Sequence, residues 1–421
     1  MRFSEFHINI KIRIFETFLS RFVGGMIFPF MAIYLAANFS AKLTGLLLML
    51  NVVIGAVTNF FGGYYADKIG RKKVMAFAEV LRFAAFSIMA ITNSPWLHLP
   101  MVTFFMMTVN SICWGLSGPA GQAMLIDVST PEQRKLMYSI TYWATNFSIA
   151  AGGIVGGFFF KTHLFALMLS LAVVAFLVAI VVVFFIQESY IKPERTLTET
   201  GTKSQFGLFS SYKRVIKDRL FIGFILGNLF VFTMEMHLTN YIGIRLSNVM
   251  PDQTFLFWKV DGVKMLGFLR TENTVLVVLT SIAVVKFISK FKDQSVLLLG
   301  SLMFVVGYSV LTISTNIWVL TAFMIVATLG EVSKTPVQQA YMAAIPPEDA
   351  RSSYMALSGL VFNGSSFITS LFVMLSAFLS PQWMSIGITG VGLLGVLIYA
   401  LILPQLEERK VAMDGGLSPA S

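Results

Sequence analysis

One cysteine, Cys113, is the only thiol in 421 residues. No disulfide can close within the chain and no thiolate metal site can be assembled. Charge is scarce as well: 12% of the residues are Asp, Glu, Lys or Arg, half of the ~25% usual in soluble domains. There is no glycine loop of the kind that cradles nucleotide phosphates, no nucleophile–base set and no metal cluster. ATP-driven work and covalent catalysis are therefore not expected of this chain, nor is a cofactor. No cleavable leader is expected either: the first apolar run is too long, carries Glu16 and Arg21, and lacks a small-residue cleavage site.

Apolar sequence takes up the space that charge leaves. The chain is 56% hydrophobic with a mean hydropathy of +0.77. Runs of about 20 residues, each long enough to cross a bilayer core of about 30 Å, recur at 12–36, 43–66, 74–93, 100–127, 136–160, 164–186, 219–243, 274–291, 294–314, 316–345, 352–379 and 381–404. The eighth is the weakest, because Lys286 and Lys290 trim one end. Twelve such runs predict an all-α integral membrane protein.

The net charge of +10 reports topology, and no nucleic-acid partner is expected. Lys and Arg gather in alternate connections, while the opposite ones hold only Lys42, Lys161, Arg245, Lys259, Lys264 and Arg270. By the positive-inside rule both termini are expected in the cytoplasm of a cell-membrane protein. The longest hydrophilic stretch, 187–218, reads as a cytoplasmic linker with a short amphipathic helix near 206–216. It separates an N-terminal six-helix bundle, 1–186, from a C-terminal one, 219–404, with a tail at 405–421.

The halves repeat in the same direction. Pro119, Gln122 and Ala123 recur as Pro336, Gln339 and Ala340; Pro131, Glu132, Arg134 and Tyr138 recur as Pro347, Glu348, Arg351 and Tyr354. The register holds within one residue over both helices, as expected of parallel repeats about an axis along the membrane normal. A second motif appears once: Gly63-Tyr64-Tyr65-Ala66-Asp67-Lys68-Ile69-Gly70-Arg71-Lys72. Its glycines allow a tight turn, and Asp67 and Arg71 can make charge-assisted contacts in one conformation and lose them in another. Asp127, at the same side of the fourth span, is placed to answer Arg71. The equivalent stretch of the second half, Ser289 to Asp293, lacks the glycines and the first aspartate.

Ionisable groups inside spans are costly, so each needs a reason. Glu331 falls near the middle of the tenth span, with Lys334 one turn later; the pair reads as a proton or cation site or as a structural ion pair. Glu235 and His237 sit mid-span in the seventh helix, on different faces. Arg21 lies mid-span in the first helix, where it balances a buried acid or binds an anionic group. Glu79 and Arg82, one turn apart, read as a local pair. Asn110, Trp114 and Asn146 are candidates for a cavity lining or for packing. Gly152, Gly153, Gly156 and Gly157 suit close helix packing and sliding.

These motifs resemble the major facilitator superfamily and, within it, the twelve-helix drug:proton antiporter branch. The resemblance rests on Ala66 to Lys72, Ile126 to Ser129, Tyr142 to Ser148 and Thr328 to Pro336. It implies two six-helix bundles working by alternating access, with Glu331 matching a carboxylate that handles protons or cationic drugs. It also implies a gate network of Gly63, Asp67, Gly70, Arg71 and Asp127. The branch's antiporter motif G-P-x-x-G-G falls at Gly152–Gly157, with Gly153 in place of the proline. A drug-exporting member of that branch carries further acids in the fifth and seventh helices where this chain has Thr141 and Thr239; Glu235 stands about one turn from the latter.

The function expected on these grounds is proton-coupled efflux of amphipathic cations by a monomer, its partners being protons, a small-molecule substrate and the bilayer. Alternatives are export of a metabolite or lipid, or a non-transporting membrane receptor with the same fold.

Overall fold

The computed structural model describes residues 5–189, 215–255, 257–346, 354 and 357–414. The expected helix near 206–216 falls almost wholly outside the described residues, as do Pro347, Glu348 and Arg351 of the repeat. Within the helices, the side chains of Gly63 and Asp67 lie outside them too.

Among the described residues, a helix occupies each of the runs expected to cross a membrane. The first span combines α1 (Ile8–Ile27), a 3-10 turn (Phe28–Phe30) and α2 (Met31–Asn38). Then follow α3 (Ala41–Ile69), α4 (Arg71–Ile91), α5 (Pro100–Asp127), α6 (Pro131–Phe159) and α7 (Leu164–Phe185). The seventh span is α8 (Arg219–Met236), a π turn (Leu238–Ile242) and α9 (Gly243–Val249). The last five helices are α10 (Gly262–Ile288), α11 (Asp293–Leu311), α12 (Ile317–Ala344), α13 (Leu360–Leu375) and α14 (Pro381–Asp414). Among the described residues, ten of the spans are long and apolar enough to cross a membrane, and α6 and α13 stand at the other two expected positions.

Local chemistry sets the helix ends. Ser40, Asp218 and Asn316 accept hydrogen bonds from first-turn amides of α3, α8 and α12. Thr130 and Gln133 form a reciprocal capping box ahead of α6, with Pro131 at its first position. Two short antiparallel hairpins are the only strands among the described residues: β1 (Asn93–Ser94) with β2 (Leu97–His98), and β3 (Gln253–Phe255) with β4 (Trp258–Val260).

Two expectations shift. The eighth helix begins at Gly262, twelve residues before the predicted 274, because Asp261 caps it by accepting from the amides of Val263 (3.0 Å) and Lys264 (2.9 Å). Lys264 and Arg270 are therefore helical, as is Arg245 in α9, rather than in loops. The last helix runs on through Pro404 to Asp414, so the expected tail at 405–421 starts as helix. Glu407 accepts from Tyr341 Oη, and Arg409 donates to Asp218 at 2.8 Å.

The chain divides into two compact units, Met1–Pro193 with Gly243–Thr274, and Glu194–Ile242 with Val275–Ser421. In the first, α1 packs on α6, α3 on α5, and α4 on α5 and α7. A core of Ala66, Val74, Met75, Ala120, Met124, Val178, Val182 and Ile186 fills the space between α3, α4, α5 and α7. In the second, α8 packs against α13 and α14, and α11 against α12.

Candidate functional site

At the motif end of the first unit, α3 stops because Gly70 takes φ 111° and ψ 144°, a conformation essentially confined to glycine. Gly70 has no side chain to cap α4. The carboxylate of Glu188 does so instead, accepting from the amides of Arg71 (3.1 Å) and Lys72 (3.2 Å), where the positive end of the helix dipole favours an anion. The Arg71 guanidinium pairs with Asp127 at the end of α5, the partner expected of it. Ser189 Oγ also donates to Asp127 at 3.1 Å. Asn9 and Gln187 exchange two hydrogen bonds, 2.8 and 3.0 Å, so residues 187–189 tie the starts of α1 and α4 to the end of α5. Glu188 was not anticipated, because 187–218 reads as linker; only its position just past an apolar helix hinted at a cap.

The glycine cluster of α6 splits into two faces. A Cβ on Gly152 or Gly156 would collide with the backbone of α1, at Phe22 and Gly25 or at Met26. Gly153 and Gly157 face α10 instead: the Gly267 Cα lies 3.2 Å from where a Gly157 Cβ would stand, and Thr271 Oγ1 donates to Ala150 O at 3.1 Å. This seam presses α1 and α10 against α6 from two sides.

Buried charge in the first unit forms a chain. Arg82 pairs with Glu79 at 2.6 Å and donates to Ser117 Oγ at 3.2 Å; both members of that pair are buried, as expected. Glu16 is 5% exposed and pairs with Arg13 at 2.5 Å. The guanidinium of Arg21 lies 4.8 Å from the centre of the Trp114 ring, and that of Arg82 lies 4.9 Å from it. Asn110 is buried with Oδ1 unbonded among the described residues, whereas Asn146 donates to the Tyr142 carbonyl of its own helix at 2.9 Å.

In the second unit, Gly300 of α11 and Gly330 of α12 let the two backbones meet; a Cβ on Gly330 would stand 2.6 Å from Gly300 O. This places Lys334, 4% exposed, with its ammonium 4.5 Å from the Phe304 ring centre. Two carboxylate charges act on that ammonium, Glu331 of the same helix first and Glu235 of α8 second. The fold thus gathers three of the expected site residues. His237 is not among them. It lies fully buried, edge-on to Phe372 at 5.3 Å, with both ring nitrogens unbonded among the described residues. Its carbonyl accepts from Ile242, five residues on, which makes the π turn, a feature frequent at functional sites.

One acid escaped the sequence reading. Glu272 falls ten residues inside α10, half-buried, with no hydrogen bond or ion pair among the described residues. Trimming the eighth run at 274 had put it in a loop.

Paired helical units, half-buried carboxylates acting on one buried ammonium, and glycine seams between helices define a multi-pass membrane transporter. The model of the Major Facilitator Superfamily matches residues 14–252 and 262–416, and the chain belongs to that family: it is a secondary transporter and not an enzyme. It is 27% identical to a Na(+), Li(+), K(+)/H(+) antiporter of Planococcus maritimus, over 98% of this chain and 100% of that one. It is 20% identical to multidrug resistance protein MdtH of Cronobacter sakazakii, over 92% and 91%. Among solved structures, a mutant of the peptide transporter POT in complex with alafosfalin superposes with a TM-score of 0.77 at 15% identity, covering 98% and 97%.

Proposed function

We propose that the chain is a proton-coupled antiporter that exports amphipathic cations, with Glu331 exchanging proton for substrate. The observation that carries this reading is the cluster around Lys334. One buried ammonium is acted on by two carboxylates, so with all three ionised these groups together hold one more negative charge than positive, at a depth where charge is costly. A proton or a cation supplies the balance, and the two exclude each other at one carboxylate. That competition is the simplest basis for antiport. The termini are cytoplasmic in this reading, and the Arg71–Asp127 pair helps hold the motif end shut.

The test is efflux of ethidium from proteoliposomes under an imposed pH gradient. Glu331→Gln, a permanent mimic of the protonated acid, abolishes uphill export. Glu331→Gln with Lys334→Met removes the unpaired ammonium and controls for folding. If Glu331→Gln folds and still exports ethidium against its gradient with normal proton dependence, Glu331 is not the coupling group and Glu235 takes its place.

The similarity to the Planococcus antiporter favours a second reading, exchange of alkali cations for protons at the same cluster. Proton movement triggered by Na+, Li+ or K+ in the same vesicles, with no ethidium transport, selects it.

A further inference from the structure

The first unit carries a guanidinium, Arg21, on which the acid Glu16 acts from a distance while bonded to Arg13. Arg13 is bonded by Glu16 and Arg82 by Glu79. Arg21 makes no hydrogen bond or ion pair among the described residues, and its side chain is exposed. Guanidinium stays protonated at any ordinary pH, so deprotonation cannot relieve it. Its depth makes this unusual: Arg21 is the fourteenth residue of a 31-residue span, roughly 20 Å along it at 1.5 Å per residue. An arginine turned to lipid at that depth costs about 2.5 kcal/mol or more, so this face of α1 borders water.

Aromatic side chains share that face at the same depth. Trp114, 36% exposed and mid-way along α5, lies beneath the guanidinium. Phe18, one turn before Arg21, stacks on Phe147 of α6 (6.3 Å, 12°), which stacks on Trp143 (5.4 Å, 9°). Phe147 is 49% exposed and Trp143 60%, so flat rings are open to a ligand beside a guanidinium that no carboxylate bonds among the described residues.

We propose that Arg21, Trp114, Phe147 and Trp143 form a binding subsite for planar aromatic anions, the carboxylate taken by Arg21 and the ring by the aromatic stack. Nothing in the cation reading of the Lys334 cluster calls for such a site, and it does not depend on that reading. The guanidinium fork matches a carboxylate, donating two parallel hydrogen bonds to it, and Trp114 holds the fork flat from below. Stacked rings prefer another flat ring to an alkyl chain.

Binding separates this from transport. The probe is 1-naphthoate, titrated into the full chain in nanodiscs and followed by quenching of tryptophan fluorescence, with 1-naphthylmethylammonium as the cation of the same shape. The wild type binds naphthoate more tightly than the ammonium. Arg21→Gln weakens naphthoate binding about tenfold or more, the usual loss when a charge-assisted contact is removed, and leaves the ammonium unweakened. Arg21→Lys falls between, and Phe147→Leu weakens both probes. Where Arg21→Gln fails to fold, Arg21→Lys and Phe147→Leu decide. The proposal is overturned if the wild type does not prefer naphthoate, or if the folded Arg21 variants bind it as the wild type does.

Discussion

Glu188→Ala removes the carboxylate that caps α4 and leaves every other helix intact. The amides of Arg71 and Lys72 belong to the first turn, where no carbonyl of the same helix can reach them, and Gly70 offers no side chain in place of Glu188. Loss of a capping side chain costs about 1 kcal/mol, within a range of about 0.5–2. Loss of an anion at a helix N-terminus adds about 0.3–1 kcal/mol. Glu188 is exposed, so water takes over part of both roles and the lower halves of these ranges apply. About 1 kcal/mol remains, which is roughly a fivefold change in an opening equilibrium. Hydrogen exchange in nanodiscs reads it locally: amides 70–74 exchange about fivefold faster in Glu188→Ala, while those of α5 and α7 stay at wild-type rates. Glu188→Gln keeps an acceptor and loses the charge, so it falls between. Unchanged exchange at 70–74 in Glu188→Ala would refute the cap, and with it the claim that the residues after α7 are part of the motif loop.

Gly70→Ala places a methyl in a backbone conformation that costs roughly 1–3 kcal/mol outside glycine and 2.6 Å from a Glu188 oxygen; thermal unfolding in detergent shows a lowered midpoint. Gly156→Val drives a side chain into the Met26 carbonyl and the Phe30 ring; overpacking of about 1–3 kcal/mol separates α1 from α6, read as lowered thermal stability and faster exchange in both helices. At the opposite end, burial alone would raise the Asp261 pKa, but the Lys264 amide and the hydrogen bond and charge of Lys161 outweigh it and hold the carboxyl below its usual 3.8. A depressed folded pKa gives stability that is present above the unfolded value and lost as pH falls through the folded one. The difference between wild type and Asp261→Asn is therefore flat from pH 5 to 8, smaller than about 1 kcal/mol because the pair is near the surface, and it shrinks below about pH 4. A difference that grew on acidification in unfolding scans would contradict this.

Much of the site was legible because its chemistry is local. Arg71 and Asp127 could be paired from the motif and from the side of the membrane that each span end shares. Glu79 and Arg82 could be paired from one helical turn. Glu235 could not be joined to Lys334 this way, since 99 positions separate them in the chain and helix packing alone sets which faces meet. Glu272 was hidden by its own charge: Arg270 and Glu272 interrupt the apolar run, so hydropathy ends the helix short of them while the backbone, capped by Asp261, continues through. Glu188 was hidden because a cap that is remote in sequence leaves no pattern beside the helix that it caps.

The amino-acid sequence by itself determined that this chain crosses a membrane many times, that its halves repeat, and where several of its helices begin. Those properties follow from run length, from the cost of exposing backbone to hydrocarbon and from glycine, proline and capping residues acting on their own neighbours. Tertiary structure decided which charges meet. The Gly300–Gly330 approach brings α11 and α12 close enough to seat Lys334, and α8 brings Glu235 to it. The Gly152–Gly156 seam fixes α1 against α6, turning Phe18 onto Phe147 while Arg21 lies bare over Trp114. Charge in a low-dielectric interior gains its meaning from its neighbours, and neighbours across helices are chosen by packing, which no single stretch of sequence contains.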